Sequence, residues 1–308
     1  MKSTRVKRNG FTWAYYAPKT LTKKALLLMM GNSDHDTMVK ACAKYMTGLG
    51  VGVAAIAPNQ DGKPYSGCHS FPLECLEEAI QWLREQGMEK VGMAGGSTTG
   101  MLCLAAAAHL PDLSLVLAYT PSDHVMQGFF KGKKDGHIPE WPAPGESTMT
   151  YRGKPLPYAP FQLSDEDYYN LSYGKATKDA GELSGRALFA HVEACGIPEE
   201  AYIPVEQIRG KIVFFGAEDD TLWDTVKYIR RMEARLKAHD FPYNYEVHTY
   251  RYGTHFVFPQ GVFLAALPAF AVNAFVGKMF KSAKAHPKEC QATRLDVDRA
   301  TRAAIENW

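Results

Sequence analysis

The chain has 308 residues, 46% of them hydrophobic and 22% charged, with a formal net charge of +2. Such a length and composition allow a large buried core, whereas a balance this close to neutral excludes a nucleic-acid surface built on excess basic charge. The basic residues 2–8 lead directly into Asn9, Gly10 and an aromatic run, without the apolar core of an export signal, and no segment is long enough to span a bilayer. The expected setting is therefore the cytoplasm, with neither nucleic acid nor membrane as a partner.

In chain order, apolar runs predict strands at 11–16, 25–30, 51–57, 91–94, 113–118, 211–216 and 244–249, so the first 24 residues hold one strand at most. Residues 71–87 carry Leu73, Leu76, Ile80 and Leu83 on one helical face and stop at Gly87. Residues 98–109 and 223–239 read the same way. The most apolar stretch, 261–280, has helix-like packing positions interrupted by Pro268 and Asn273, and 287–308 predicts a last helix packing through Leu295, Ala303 and Trp308. Strands that alternate with helices imply a mostly parallel sheet covered on both faces, with sites at the carboxyl ends of its strands.

Between 120 and 204 the pattern lapses into Gly, Pro, Tyr and charged residues, as in Trp141-Pro142-Ala143-Pro144-Gly145. A stretch this long inside one domain points to a functional element. The reading is one α/β domain over 1–308 with a cap at 120–204 that becomes helical at 185–195. Cys42, Cys68, Cys75, Cys103, Cys195 and Cys290 contain no Cys-x-x-Cys pair and read as free, buried thiols, a Cys68–Cys75 disulfide being the alternative. The histidines offer no His-x-x-x-His or His-Glu-x-x-His spacing, and Asp34-His35-Asp36 reads as a solvated loop. Neither a metal nor another cofactor is expected.

Residues 91–100 run Val-Gly-Met-Ala-Gly-Gly-Ser-Thr-Thr-Gly. A serine aimed out of a sharp strand-to-helix turn needs neighbours without bulk, and Gly95, Gly96 and Gly100 supply that space around Ser97. The position two after the serine is Thr99 rather than glycine, and plain loops or phosphate cradles share such compositions. The later chain adds two partners in the order that such a nucleophile requires. An apolar strand at 211–216 breaks into Ala217-Glu218-Asp219-Asp220, where one aspartate is the candidate acid. The strand at 244–249 leads into Arg251-Tyr252-Gly253-Thr254-His255, where His255 is the candidate general base. Oxyanion donors are expected from the Thr98 amide and from Asn32 in the loop after the 25–30 strand. His124 reads as structural or cap-lining and His248 as strand packing. Phe129, Phe130, Trp141, Tyr158 and Phe161 read equally as pocket lining or as packing within the insertion.

Together these pieces resemble the carboxyl-terminal catalytic domain of the acyl-CoA thioester hydrolases and bile-acid-CoA:amino acid N-acyltransferases, dienelactone-hydrolase-like members of the α/β-hydrolase superfamily. The resemblance rests on residues 96–104, on Tyr151-Arg152-Gly153-Lys154-Pro155-Leu156-Pro157, on Ile203-Pro204-Val205-Glu206, on Asp219-Asp220-Thr221-Leu222-Trp223 and on Gly253-Thr254-His255. It implies an α/β-hydrolase fold and makes Asp220 the acid, with Asp219 a helix-end or supporting residue. By the same resemblance the activity is that of a serine hydrolase acting on a small acyl thioester or ester, with a coenzyme A thioester as the model substrate. Lys131, Lys133 and Lys134 read as a solvated charge run or as partners of its phosphates. Three departures stand out. The amino-terminal β-sandwich of the mammalian-type enzymes has no counterpart expected here. Thr99 stands where the family usually has glycine, which would crowd the elbow or reshape the pocket entrance. Ser97 replaces the cysteine of the transferase branch, which favours hydrolysis. The readings kept beside thioester cleavage are a carboxylesterase, lactone hydrolase or peptidase, acyl transfer to an amine, and a non-catalytic protein that keeps the elbow for packing. The sequence leaves the oligomeric state open.

Overall fold

The computed structural model describes residues 2–30, 36–58, 60, 67–131 and 140–308. Its strands are β1 (Thr4–Arg8), β2 (Phe11–Tyr16), β3 (Lys24–Met29), β4 (Gly52–Ala55), β5 (Phe71–Pro72), β6 (Lys90–Gly96), β7 (Leu113–Tyr119), β8 (Gln127–Lys131), β9 (Glu140–Ser147), β10 (Met149–Tyr151), β11 (Lys154–Pro155), β12 (Lys211–Ala217) and β13 (Tyr245–Tyr250). The helices are α1 (Thr37–Gly48), α2 (Glu74–Glu85), α3 (Thr98–His109), α4 (Asp165–Leu171), α5 (Tyr173–Ala180), α6 (Arg186–Cys195), α7 (Thr225–Ala238), α8 (Gln260–Ala266), α9 (Ala269–Met279), α10 (Lys281–Ala285) and α11 (Pro287–Glu306).

Eight strands form the main sheet in the order β1-β2-β4-β3-β6-β7-β12-β13. From β4 to β13 every neighbouring pair is parallel, and β1 and β2 form an antiparallel edge. Strands covered on both faces have no reason to alternate polar and apolar residues, and β3 accordingly reads Lys-Ala-Leu-Leu-Leu-Met, buried at every position after the first. Leu27 and Met29 face a core completed by α2, α3 and α7. Leu26 and Leu28 face a second core completed by α1, α8, α9 and α11.

Two local expectations are corrected. The first 24 residues hold two strands, because Asn9 and Gly10 both take positive φ (48° and 88°) and close a tight hairpin. β1 escaped the pattern since Arg5, Lys7 and Arg8 give it the charged look of an exposed edge. Asp36 is also not a solvated loop residue: it caps α1, accepting the Val39 N–H at 2.8 Å. Asp34 and His35 lie outside the described residues.

Residues 120–204 hold more regular structure than their composition suggests. β8 pairs with β9, and β10 pairs with β11 and with β5. The β5 pairing also explains why α2 starts at Glu74 rather than 71, since Phe71 and Leu73 donate their N–H groups to the carbonyls of Thr148 and Thr150 at 2.9 Å each. α4 and α6 enclose a small separate core of Ala159, Phe161, Tyr168, Leu188, Val192 and Ala201. Among the described residues no single helix is long and apolar enough to cross a membrane.

All six cysteines are free, and only Cys195 is exposed. Burial pushes the thiols of Cys42 and Cys68 up to about 12 and that of Cys290 to about 11, with Cys75 and Cys103 raised as well. A raised pKa leaves less thiolate at any given pH, and the thiolate is the reactive form. Titration of the native protein with a thiol-exchange reagent at pH 8 should therefore count one fast thiol, Cys195, and all six after denaturation. Two or more fast native thiols would contradict this packing.

Candidate active site

β6 ends at Gly96, and the next residue, Ser97, takes φ 60° and ψ −133° before α3 begins at Thr98. That conformation costs a residue with a side chain about 1–3 kcal/mol and survives only where its surroundings enforce it. Several contacts do so here. The Ser97 N–H donates to the Tyr119 carbonyl at 2.9 Å, extending the ladder to β7. A Cβ on Gly95 would lie 2.5 Å from the Thr99 carbonyl oxygen and 2.6 Å from Cys103 Sγ, and one on Gly96 would lie 2.4 Å from the Phe258 ring. One on Gly100 would lie 2.8 Å from the Tyr119 carbonyl oxygen. The glycines are thus required by close approach, and the half-buried serine is left at the carboxyl edge of the sheet.

Asp220 and His255 meet at the same edge, past β12 and β13. His255 Nδ1 lies 2.8 Å and 3.0 Å from the two Asp220 carboxylate oxygens, with the residues 3% and 1% exposed. The carboxylate also accepts the Leu222 N–H at 2.9 Å and the Thr225 hydroxyl. With an acceptor at Nδ1, the imidazole carries its proton there and leaves Nε2 as the basic atom. That Nε2 is buried and has no hydrogen-bond partner; in particular, no bond joins it to Ser97. The Trp223 ring stands edge-on to His255 with centroids 4.9 Å apart, and its Nε1–H donates to the Thr120 carbonyl at 3.2 Å.

The neighbouring aspartate does different work. Asp219 Oδ1 accepts the N–H groups of Gly253 and Thr254 at 2.9 and 2.7 Å, and its Oδ2 accepts the Ser282 hydroxyl at 2.6 Å. It therefore holds the loop that presents His255, across the positive φ of Thr254 (59°). Ser282 and Thr225 carried no motif in the sequence; only their hydroxyls, placed by the fold, reveal them.

The Thr98 amide opens α3, where first-turn N–H groups lack intrahelical partners and the helix dipole favours negative charge. Asn32, the other expected oxyanion donor, lies outside the described residues, as do Lys133 and Lys134. Nothing is described of the Phe130 and Lys131 side chains. The Thr99 side chain is buried, with Oγ1 2.7 Å from the Met29 carbonyl and 2.8 Å from that of Gly96.

The other sequence candidates have partners of their own. His124 is buried, with Nδ1 2.8 Å from Asp123, whose carboxylate pairs with Arg231, and its ring packs edge-on against Tyr202 and Tyr228. Trp141 stacks on Tyr169. Phe161 belongs to the small core enclosed by α4 and α6, while Phe129 and Tyr158 pack half-buried against the main core. His248 stacks on Phe215 and bonds Glu246. Among the described residues no group of three or more His, Cys, Asp or Glu is placed to hold a metal ion. Two surface clefts, lined in part by His109, Gln207 and Arg209 or by His109, Glu199 and Arg235, lie at the far end of α3 from Ser97.

A mostly parallel sheet with a serine elbow after one strand, followed by an aspartate–histidine pair after two later ones, defines the α/β-hydrolase class, and the chain is an α/β-hydrolase-type enzyme. Solved structures share the fold. An esterase of Pyrococcus furiosus is 11% identical with a TM-score of 0.53, covering 100% of this chain and 90% of that one. An alpha/beta hydrolase from a Medee basin deep-sea metagenome library is 12% identical with a TM-score of 0.51, covering 99% and 97%. Residues 71–286 match the family described as BAAT / Acyl-CoA thioester hydrolase C terminal, and the chain belongs to that family. No curated protein sequence matches it.

The two adjacent aspartates should separate cleanly in kinetics. Asp220→Asn disturbs the imidazole tautomer and should lower kcat on the order of 10⁴-fold, whereas Asp219→Asn keeps an acceptor oxygen for Gly253 and Thr254 and should leave kcat largely unchanged. Asp219→Ala strands those two N–H groups and should cost about 2–4 kcal/mol in urea unfolding. Equal kinetic losses in the two Asn variants would contradict the division of labour.

Proposed function

We propose that this enzyme is a serine hydrolase that cleaves acyl thioesters through Ser97, His255 and Asp220, with a coenzyme A thioester of a small acyl group as the substrate class. The observation that carries the proposal is the buried Asp220–His255 pair, its free Nε2 lying at the same sheet edge as a serine held in a strained elbow. Membership of the thioester hydrolase family supports the leaving group. A serine nucleophile supports hydrolysis over transfer, and the insertion at 120–204 is read as the cap over the bound acyl chain.

In this mechanism Ser97 Oγ rotates toward His255 Nε2, gives it its proton and attacks the thioester carbonyl. Catalytic hydrogen bonds absent from a free enzyme often form only with substrate in place. The developing oxyanion is held by the Thr98 N–H at the positive end of α3. Asp220 accepts the Nδ1–H throughout and stabilises the imidazolium. Collapse of the intermediate breaks the carbon–sulfur bond, and His255 returns the proton to the departing thiolate. Water then attacks the acyl–Ser97 ester, with His255 again taking and returning the proton, and frees the carboxylic acid.

The test is turnover of short and long acyl-CoA thioesters beside p-nitrophenyl esters of matching chain length, by wild type and Ser97→Ala. Thioester cleavage should exceed ester cleavage in kcat/KM, and both should fall on the order of 10⁴-fold or more in the variant. Cleavage of esters alone would move the assignment to a carboxylesterase. Activity that survives in a folded Ser97→Ala would remove Ser97 from the reaction.

A further inference from the structure

We infer that Thr99 is a positioning residue whose hydroxyl ties the nucleophile elbow to the end of β3. The inference rests on the reading of Ser97 as nucleophile. β3 and β6 are paired in parallel as far as Met29 opposite Gly95. At the next step the Ser97 N–H points to β7, where it meets the Tyr119 carbonyl, and the Leu28 carbonyl points to β4, where it accepts the Ile56 N–H at 2.9 Å. Backbone groups of a strand alternate sides, so the Gly96 N–H and the Met29 carbonyl are turned toward one another across the β3–β6 gap. Thr99 Oγ1 sits between them, accepting from Gly96 N–H at 3.1 Å and lying 2.7 Å from the Met29 oxygen.

A side-chain hydroxyl thus joins the last rung between β3 and β6. Its hydrogen bonds tie both strand ends to the first turn of α3. The Thr98 amide and the Ser97 side chain are carried on that turn. Their placement relative to the chain leaving β3 therefore depends on this hydroxyl. A single proton serves the bond to Met29, with the Gly96 carbonyl at 2.8 Å as the alternative acceptor, so the bridge depends on the hydroxyl and not on the methyl group.

The experiment is saturation kinetics of a fluorophosphonate, which phosphonylates an activated serine with loss of fluoride and places its phosphoryl oxygen where the oxyanion forms. Wild type, Thr99→Val, Thr99→Ser and Thr99→Gly are compared by limiting labelling rate, half-saturating concentration and labelled fraction. Thr99→Val should label completely but with a limiting rate lower by about 10- to 100-fold, the scale of a disturbed oxyanion hole, at an unchanged half-saturating concentration. Thr99→Ser should restore the wild-type rate. Thr99→Gly, which also lacks the hydroxyl, should be slow and serves if Thr99→Val does not fold. A hydroxyl-free variant that labels at the wild-type rate, or one whose labelled fraction falls while its rate holds, would overturn the inference, as would a Thr99→Ser that stays slow. A wild type that is not labelled at all would instead overturn the nucleophile reading beneath it.

Discussion

The reversal at Ser97, where the chain leaves a buried parallel strand at φ 60° and enters a helix one residue later, is the constraint that the rest of the site answers to. A bulkier residue at Gly95 or Gly96 would meet the Thr99 backbone or the Phe258 ring below 3 Å. Strain of this kind is held only by a rigid surround, and β6 is flanked on both sides by parallel strands buried at all but one position each. The stability of the sheet is in this sense spent on one backbone angle.

The remaining groups come to the same edge because parallel strands end together there. Asp219 and Asp220 are adjacent in sequence, yet one carboxylate binds backbone N–H groups of the histidine loop and the other binds the imidazole itself. Their roles follow from the turn after β12, which points consecutive side chains in different directions. Trp223 and Thr120 extend the arrangement to the end of β7, so the elements that flank the elbow also hold the His255 ring.

Much of this was legible in the sequence, for physical reasons. The central strands are continuous apolar runs, and α3 and α11 begin at the predicted residues. The candidate serine, aspartate and histidine are spaced by the strand-turn-helix rhythm that places them. The illegible parts have equally specific causes. β1 is an edge strand with charged faces, and α1 follows an Asp36 cap whose neighbourhood reads as loop. The strands of the insertion are rich in Pro and Gly, and their partners are distant in sequence, as with β10 and β5. The Thr99 contact with the Met29 carbonyl is tertiary, and no local pattern encodes it. Thr225 and Ser282 have no signal beyond being hydroxyls.

The account stands most directly on the identity of the nucleophile. Peptide mapping by mass spectrometry after stoichiometric phosphonylation would locate the modified residue. The account predicts a single adduct on Ser97, abolished when His255 is replaced by alanine. An adduct on another side chain, such as Ser122 or Cys195, with Ser97 unmodified would contradict it.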